Sequence, residues 1–334
     1  MRPHVVACLA LAVALATGCG KKTKRAPDVA GLAAVPASAQ VVIAADVTRV
    51  IDSPLVARAV DQLLLRDADL ATRWQRLRDT CKLDVAKVKH VVLAIGPHAG
   101  TEPGTGPVLM IVTGQLAETD LASCVRSMVG QGGGSLTGKD LAGHTLYQAK
   151  DGNRTMFFAF GRPDTVVLGS NEAYVTEALG AGKKVLDNAD MAKWIHQVDQ
   201  KAPLWAAGRV DERVRGGLIK VTSGQLQAGP VAMVVAIDPT AGAKIELGAV
   251  MASAKDSKTL ESFAKGQLAL LAMAAQAKGL GKVVDKVTIA ADGEIVRFRA
   301  ALGVEEVNQL ISALDGGGPA KQDSPPAAGS AVGP

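Results

Sequence analysis

Two ten-residue segments, VVLAIGPHAG from Val91 and MVVAIDPTAG from Met233, align without a gap and share six identical positions. Each is an apolar strand that runs into a Pro and Gly turn. The surroundings agree in order. VVIAADV at Val41 precedes the first copy and PLWAAGRV at Pro203 the second, each followed by a helical stretch. Behind the copies stand the apolar strands PVLMIVTG at Pro107 and AKIELGAVMA at Ala243, and then a helix, about Glu118 to Val129 in the first half and Lys255 to Lys278 in the second. Each half then offers a hairpin turned on Asp-Gly, Asp151-Gly152 and Asp292-Gly293, because both residues tolerate the positive φ of a tight turn. Closing helices follow near Asn171 to Leu179 and Val304 to Leu314.

This order predicts an α+β fold of two tandem related repeats, residues 41–202 and 203–314, each an antiparallel sheet with helices packed on one face. The first repeat carries extras: a helix from Pro54 to Arg78, capped by Ser53 with Pro54 in its first turn, a strand near Thr165 to Leu168, and a helix around Ala189 to Gln197. The strands HVVLAIG, PVLMIVTG and VAMVVAI are apolar at nearly every position, which predicts that both sheet faces are covered. The second face meets the sister repeat or lines an apolar cavity. EIVRFRAAL alternates, with Arg297 and Arg299 on one side, so that strand is half exposed. In the helix Lys255 to Lys278 the later half is apolar nearly all round. That composition suits a core helix, or a surface that contacts lipid or a partner. Gly266 inside it predicts a close neighbour, since glycine there costs about 1 kcal/mol against alanine.

Ahead of the folded part, Arg2 is followed by the apolar run Val5 to Ala16. That run is shorter than the ~20 residues a membrane-spanning helix needs and has the length of a secretory signal. It ends in ATGC, with Ala16, Thr17 and Gly18 before Cys19, which resembles the lipobox of bacterial lipoproteins. The usual leucine three residues before the cysteine is replaced by Ala16, with Leu15 one position earlier. The resemblance implies cleavage after residue 18 and a lipid on Cys19; residues 19–40 read as a flexible, lipid-anchored linker. Lys21, Lys22, Lys24 and Arg25 then lie close to the lipid, as contacts to anionic headgroups or as a solvated spacer. Gly20 stands where lipoproteins retained in the inner membrane often carry aspartate, so the resemblance points to the outer membrane, facing the periplasm.

Of four cysteines, Cys8 leaves with the signal and Cys19 is acylated on this reading. Cys81 and Cys124 remain in an oxidising compartment and are expected to form a disulfide, two buried free thiols being the alternative. A bridge closing a loop of about 44 residues stabilises by up to roughly 4 kcal/mol.

The search for chemistry returns little. His90, His98, His144 and His196 lack metal-ligand spacing. GAGKK at Gly180 has Glu177 where a phosphate loop needs glycine and Lys184 where it needs Ser or Thr. GQGGGS at Gly130 follows a helix and reads as a connection. Asp187 and Asp190 lack the spacing of a calcium loop, there is no G-x-S-x-G elbow, and NRT at Asn153 matches a glycosylation sequon. A formal charge of +5 with 3% aromatic residues gives no footprint for nucleic acid. Residues 315–334 read as a disordered tail.

The lipobox, VVIAADVTRVIDSPLVARAV, CKLDVAKVKHVVLAIG and the second cysteine in the following helix together resemble uncharacterised lipoproteins of the deltaproteobacterial type, a resemblance that supports the fold and the disulfide and adds no activity. The expected function is a non-catalytic envelope module, without cofactor or metal, that binds another protein or organises the outer membrane. The alternative is a carrier or sensor of lipid or another apolar ligand, which an open apolar face between the repeats would distinguish. An enzyme would need a concave cluster of carboxylates or histidines hidden in the linear sequence.

Overall fold

The structure, a computed structural model, describes residues 29–314 apart from 82–83, 98–105, 142, 223 and 278. β1 (Val41–Asp46) leads through α1 (Val47–Val50), α2 (Pro54–Arg66) and α3 (Ala68–Cys81) to β2 (Val88–Ile95) and β3 (Val108–Gly114). Then come α4 (Glu118–Gln131), β4 (Ser135–Leu141), β5 (His144–Asp151), β6 (Arg154–Arg162), β7 (Thr165–Gly169), α5 (Glu172–Leu179) and α6 (Ala189–Gln197). The remainder is β8 (Leu204–Arg209), α7 (Glu212–Val221), β9 (Ala232–Asp238), β10 (Ala243–Val250), α8 (Ala254–Ala277), α9 (Gly281–Val284), β11 (Thr288–Asp292), β12 (Ile295–Leu302) and α10 (Val304–Leu314).

The fold is α+β and its strand pairs are antiparallel, as the sequence predicts. The two expected sheets, however, are one, with strand order β11-β12-β10-β9-β8-β1-β2-β3-β7-β6-β5-β4. The halves meet edge to edge where β1 pairs with β8, from Val41 opposite Gly208 to Ala45 opposite Leu204. Each of these first strands would otherwise present an unpaired row of backbone groups, and joining satisfies both.

Outward from that seam, β8-β9-β10-β12-β11 and β1-β2-β3-β7-β6 follow one winding. The two Asp-Gly turns do not occupy equivalent places in it. Asp292-Gly293 joins β11 to β12, whereas Asp151-Gly152 joins β5 to β6, one hairpin farther out. The counterpart of β11–β12 is β6–β7, turned on Pro163-Asp164, so the strand at Thr165 is part of the common plan and β4–β5 is the addition. The predicted helix Pro54 to Arg78 is likewise two helices. Asp67 is extended and its carboxylate accepts the Leu70 N–H at 2.9 Å, starting α3 afresh.

One face of the sheet, here the inner face, carries a continuous core that crosses the seam. Val42, Val92, Ala94 and Ile111 from one half and Trp205, Ala207, Val234 and Ala236 from the other pack with α5 and α6 through Val175, Met191, Trp194 and Ile195. Residues next in sequence point to the other, outer face and form two separate clusters. Ala249 and Val296 pack there with Leu260, Ala264 and Leu268 of α8, and Val112, Phe158, Phe160 and Val166 pack with Leu121 and Val125 of α4.

The inner core also takes in residues that read as linker in the sequence. Val29 is 2% exposed, and Ala34, Val35 and Ala39 are buried with it; the expectation of a flexible linker through residue 40 is therefore corrected to end by Val29. Small side chains allow the segment to lie flat on the sheet, and the Val185 N–H donates to Val35 O at 2.8 Å while the Asn188 side-chain amide donates to Ala37 O at 3.0 Å. Gly161 makes room for it, since a Cβ there would stand 2.3 Å from Val29 Cγ2. Gly161→Ala is expected to cost about 1–3 kcal/mol by overpacking, and Val29→Ala in the same chain to recover much of that loss. Urea unfolding of the two variants and the pair measures it.

Candidate functional site

The most unusual surface is a row of side chains on the outer face, read off the strand register. Ile43 of β1 stands opposite Leu93 on one side and Ala206 on the other. Leu93 continues to Met110, and Ala206 to Val235 and then Leu247. Beyond these, the row runs through Phe298 to Ile289 at one end of the sheet and through Leu168, Phe158 and Tyr147 at the other. It is apolar along this whole course, one side chain per strand.

Its ends are roofed and, among the described residues, its middle is not. Phe298 and Ile289 lie in the cluster under α8, and Phe158 with its stacked neighbour Tyr147, ring centroids 4.7 Å apart, lies in the cluster under α4. Between them β1, β8 and β9 alternate, buried on the inner face and partly exposed on the outer, with Ile43 at 39% exposure. The expectation that both faces of β2, β3 and β9 are covered is corrected for β2 and β9, whose outer side chains are partly exposed. An all-apolar strand does require a dry inner face, but here the halves join side by side instead of stacking, so no sister repeat reaches the outer face.

The helices around this face leave apolar side chains in solvent. In α2 no residue is buried, and Val60, Leu63 and Leu65 are exposed. Only Ser257 and Ala275 of α8 are buried, while Leu270, Leu271 and Met273 are more than half exposed. The core-helix reading of its later half is therefore overturned, and Gly266 has nothing close to where its side chain would be.

The α2–α3 hairpin is tied at both ends to different halves of the sheet. At its start, Ser53 Oγ donates to Pro239 O in the β9–β10 turn at 2.8 Å, and Arg58 donates to Asn308 Oδ1 of α10 at 2.7 Å. At its end, Cys81 stands at disulfide distance from Cys124 of α4, their Cα atoms 4.9 Å apart, within the range a bridge requires. Met128 Sδ lies 3.3 Å from Cys81 Sγ. Cys19, Lys21, Lys22, Lys24 and Arg25 lie outside the described residues, as do His98 and the tail from residue 315.

The polar motifs singled out in the sequence take structural roles. Lys184 Nζ donates to Glu177 O and Ala178 O at 2.8 and 2.9 Å, closing the C-terminus of α5, and burial lowers its pKa. A helix C-terminus repels phosphate. Asp187 accepts the Lys184 N–H and Asp190 pairs with Arg209 at 3.1 Å. Gly133, with φ of +74°, turns the chain between α4 and β4, and His144 Nδ1 lies 2.9 Å from Phe160 O. Among the described residues, no group of three or more His, Cys, Asp or Glu could hold a metal ion, and no helix is long and apolar enough to cross a membrane. Two open hollows border the sheet, one at Phe157 and α5, the other at the Asp46 end near Lys201. Neither is lined by Ile43, Leu93, Ala206 or Val235.

No family model matches the chain, and no curated protein matches it. Among solved structures, crystal form I of TP0453 is similar over 86% of this chain and 98% of that one, with a TM-score of 0.43 and 13% identity.

On the inner face, beyond α6, Glu246 is held between Arg297 and Arg299, the latter at 2.8 Å, and Arg297 also donates to Gln197 O at 3.2 Å. Burial alone would raise the Glu246 carboxyl, yet hydrogen bonds from both guanidinium groups, and their charges, outweigh it and hold its pKa below the ordinary glutamate value. The native form therefore gains stability above the unfolded glutamate pKa and loses it as pH falls through the depressed value. Glu246→Gln is expected to cost about 0.5–1 kcal/mol at neutral pH, with the gap to the unsubstituted protein closing below about pH 4. Urea midpoints measured across pH 3–7 test the sign.

Proposed function

We propose that this chain is a non-catalytic lipoprotein of the cell envelope, anchored through Cys19 to the outer membrane and facing the periplasm, which binds a partner protein along the open middle of its apolar row. The observation that supports this reading is the row itself: apolar, continuous over six strands from Met110 to Leu247, and roofed only at its ends among the described residues. Patches of this kind mark interaction sites. A carrier of a small apolar ligand would favour a concave pocket that buries most of its cargo, and the row is an open surface. The lipobox supports the anchor, and an oxidising periplasm suits a bridge between Cys81 and Cys124.

Mass spectrometry of protein extracted from membranes is expected to find Cys19 as the acylated N-terminal residue, and Cys19→Ala to release the chain to the soluble fraction. A photo-crosslinking amino acid at Ile43 is expected to capture one defined envelope protein in cells. Ile43→Glu should abolish that complex while changing unfolding stability by less than about 1 kcal/mol, as befits a side chain already in contact with solvent. Crosslinks to lipid alone would favour the carrier reading.

A further inference from the structure

Three features meet at one edge of the sheet, the edge where β1 ends and β2 begins. The α2–α3 hairpin leaves and re-enters the body there, between Asp46 and Val88. The later half of α8 arrives there too. Its first turn is fixed at the opposite edge, where Ser257 Oγ donates to Gly293 O in the β11–β12 turn at 2.6 Å. From that point a 24-residue helix climbs about 36 Å toward the start of β11. Finally, the amino-terminal segment enters the body at this edge: Val29 sits against Gly161, one residue before β6 ends, and Ala30 to Leu32 border the same hollow as Asp46 and His90.

These elements expose apolar side chains that no other described residue covers. Leu65, at the tip of the hairpin, is 78% exposed, Leu63 is 55% exposed, and Met273 near the end of α8 is 64% exposed. Meanwhile residues 19–28, from the lipidated cysteine up to Val29, number only ten and reach at most about 35 Å when fully extended. A lipid on Cys19 thus tethers the body to the bilayer from this edge. The same ten residues carry Lys21, Lys22, Lys24 and Arg25, a charge that complements anionic headgroups.

We infer that the α2–α3 hairpin, with the end of α8 farther along the same edge, is a membrane-docking edge: its apolar side chains enter the interfacial region of the leaflet that holds the Cys19 lipid. The inference rests on the anchor proposed above and adds an orientation to it. A lipid chain alone leaves a protein free to swivel on its tether; a second, shallow contact fixes which way it faces. With the Asp46 edge down, the sheet stands on the membrane and the open row is presented sideways to the periplasm.

The test uses the full-length lipidated protein in vesicles of phosphatidylethanolamine and phosphatidylglycerol whose acyl chains carry bromine, a short-range quencher of tryptophan emission. Leu65→Trp places a reporter at the hairpin tip. Val221→Trp places one on α7, at the opposite edge, where the native side chain is 72% exposed. The emission added by Leu65→Trp is expected to fall by about half or more, that of Val221→Trp to stay unchanged, and Leu63→Asp in the Leu65→Trp chain to reduce the quenching about twofold. Circular dichroism checks that each variant keeps its fold. Protein that floats with the vesicles but shows no quenching at position 65, or equal quenching at both positions, overturns the docking edge and leaves the anchor standing. A Cys19 found without lipid overturns the anchor, and the docking edge with it.

Discussion

Five residue pairs between β1 and β8 hold the middle of the sheet together, and the arrangement of every other layer follows from that ladder. Because the halves join by backbone hydrogen bonds along their edges, their apolar faces cannot close on one another. Each face has to find cover elsewhere. On the inner side α5, α6 and the segment from Val29 to Ala39 supply it, and the resulting core runs across the seam from Val92 to Val234. Breaking the ladder would therefore expose side chains in both halves together, which couples them into one cooperative unit.

The outer face shows what the same geometry leaves undone. In the common winding, α4 and α8 follow the third strand of each half and lie toward the two ends of the sheet, so the strands nearest the seam go without a helix. Additional chain was available, since α2 and α3 intervene between β1 and β2. That hairpin is spent at the edge instead, fastened by Ser53 to Pro239 on one side and by Cys81 to Cys124 on the other. An apolar middle with a strap fixed at its rim is the arrangement on which the proposed partner site and the docking edge both depend.

Much of this was legible in the chain. The strands announce themselves by runs such as VVLAI and VLMIV, the Asp-Gly turns fall where expected, and Ser53 and Asn171 cap the helices they precede. The α2–α3 break also has a local signal, the capping Asp67. Other features have none. Edge pairing between halves far apart in sequence leaves no mark on local periodicity, so one sheet and two sheets read alike. A strand apolar on both sides looks the same whether its second face is packed or bare, which hid the open row around Ile43. The segment GLAAVPASAQ resembles a tether by composition, and only the gap above Gly161 explains why it is core. The matched Asp-Gly turns misled because a hairpin inserted upstream, β4–β5, shifted one of them out of the shared plan.

A sheet of twelve strands spans about 50 Å and ends in two free borders, β4 and β11, which could in principle recruit further copies into an endless ribbon. Both are poor templates. β4 places Gly138, Lys139 and Asp140 in succession, and Lys139 reaches across to Glu172 at 2.6 Å; β11 offers only five residues before its turn. Charge on one border and brevity on the other favour a chain that stays a single particle, although its interior is built from some of the most aggregation-prone stretches a sequence can contain.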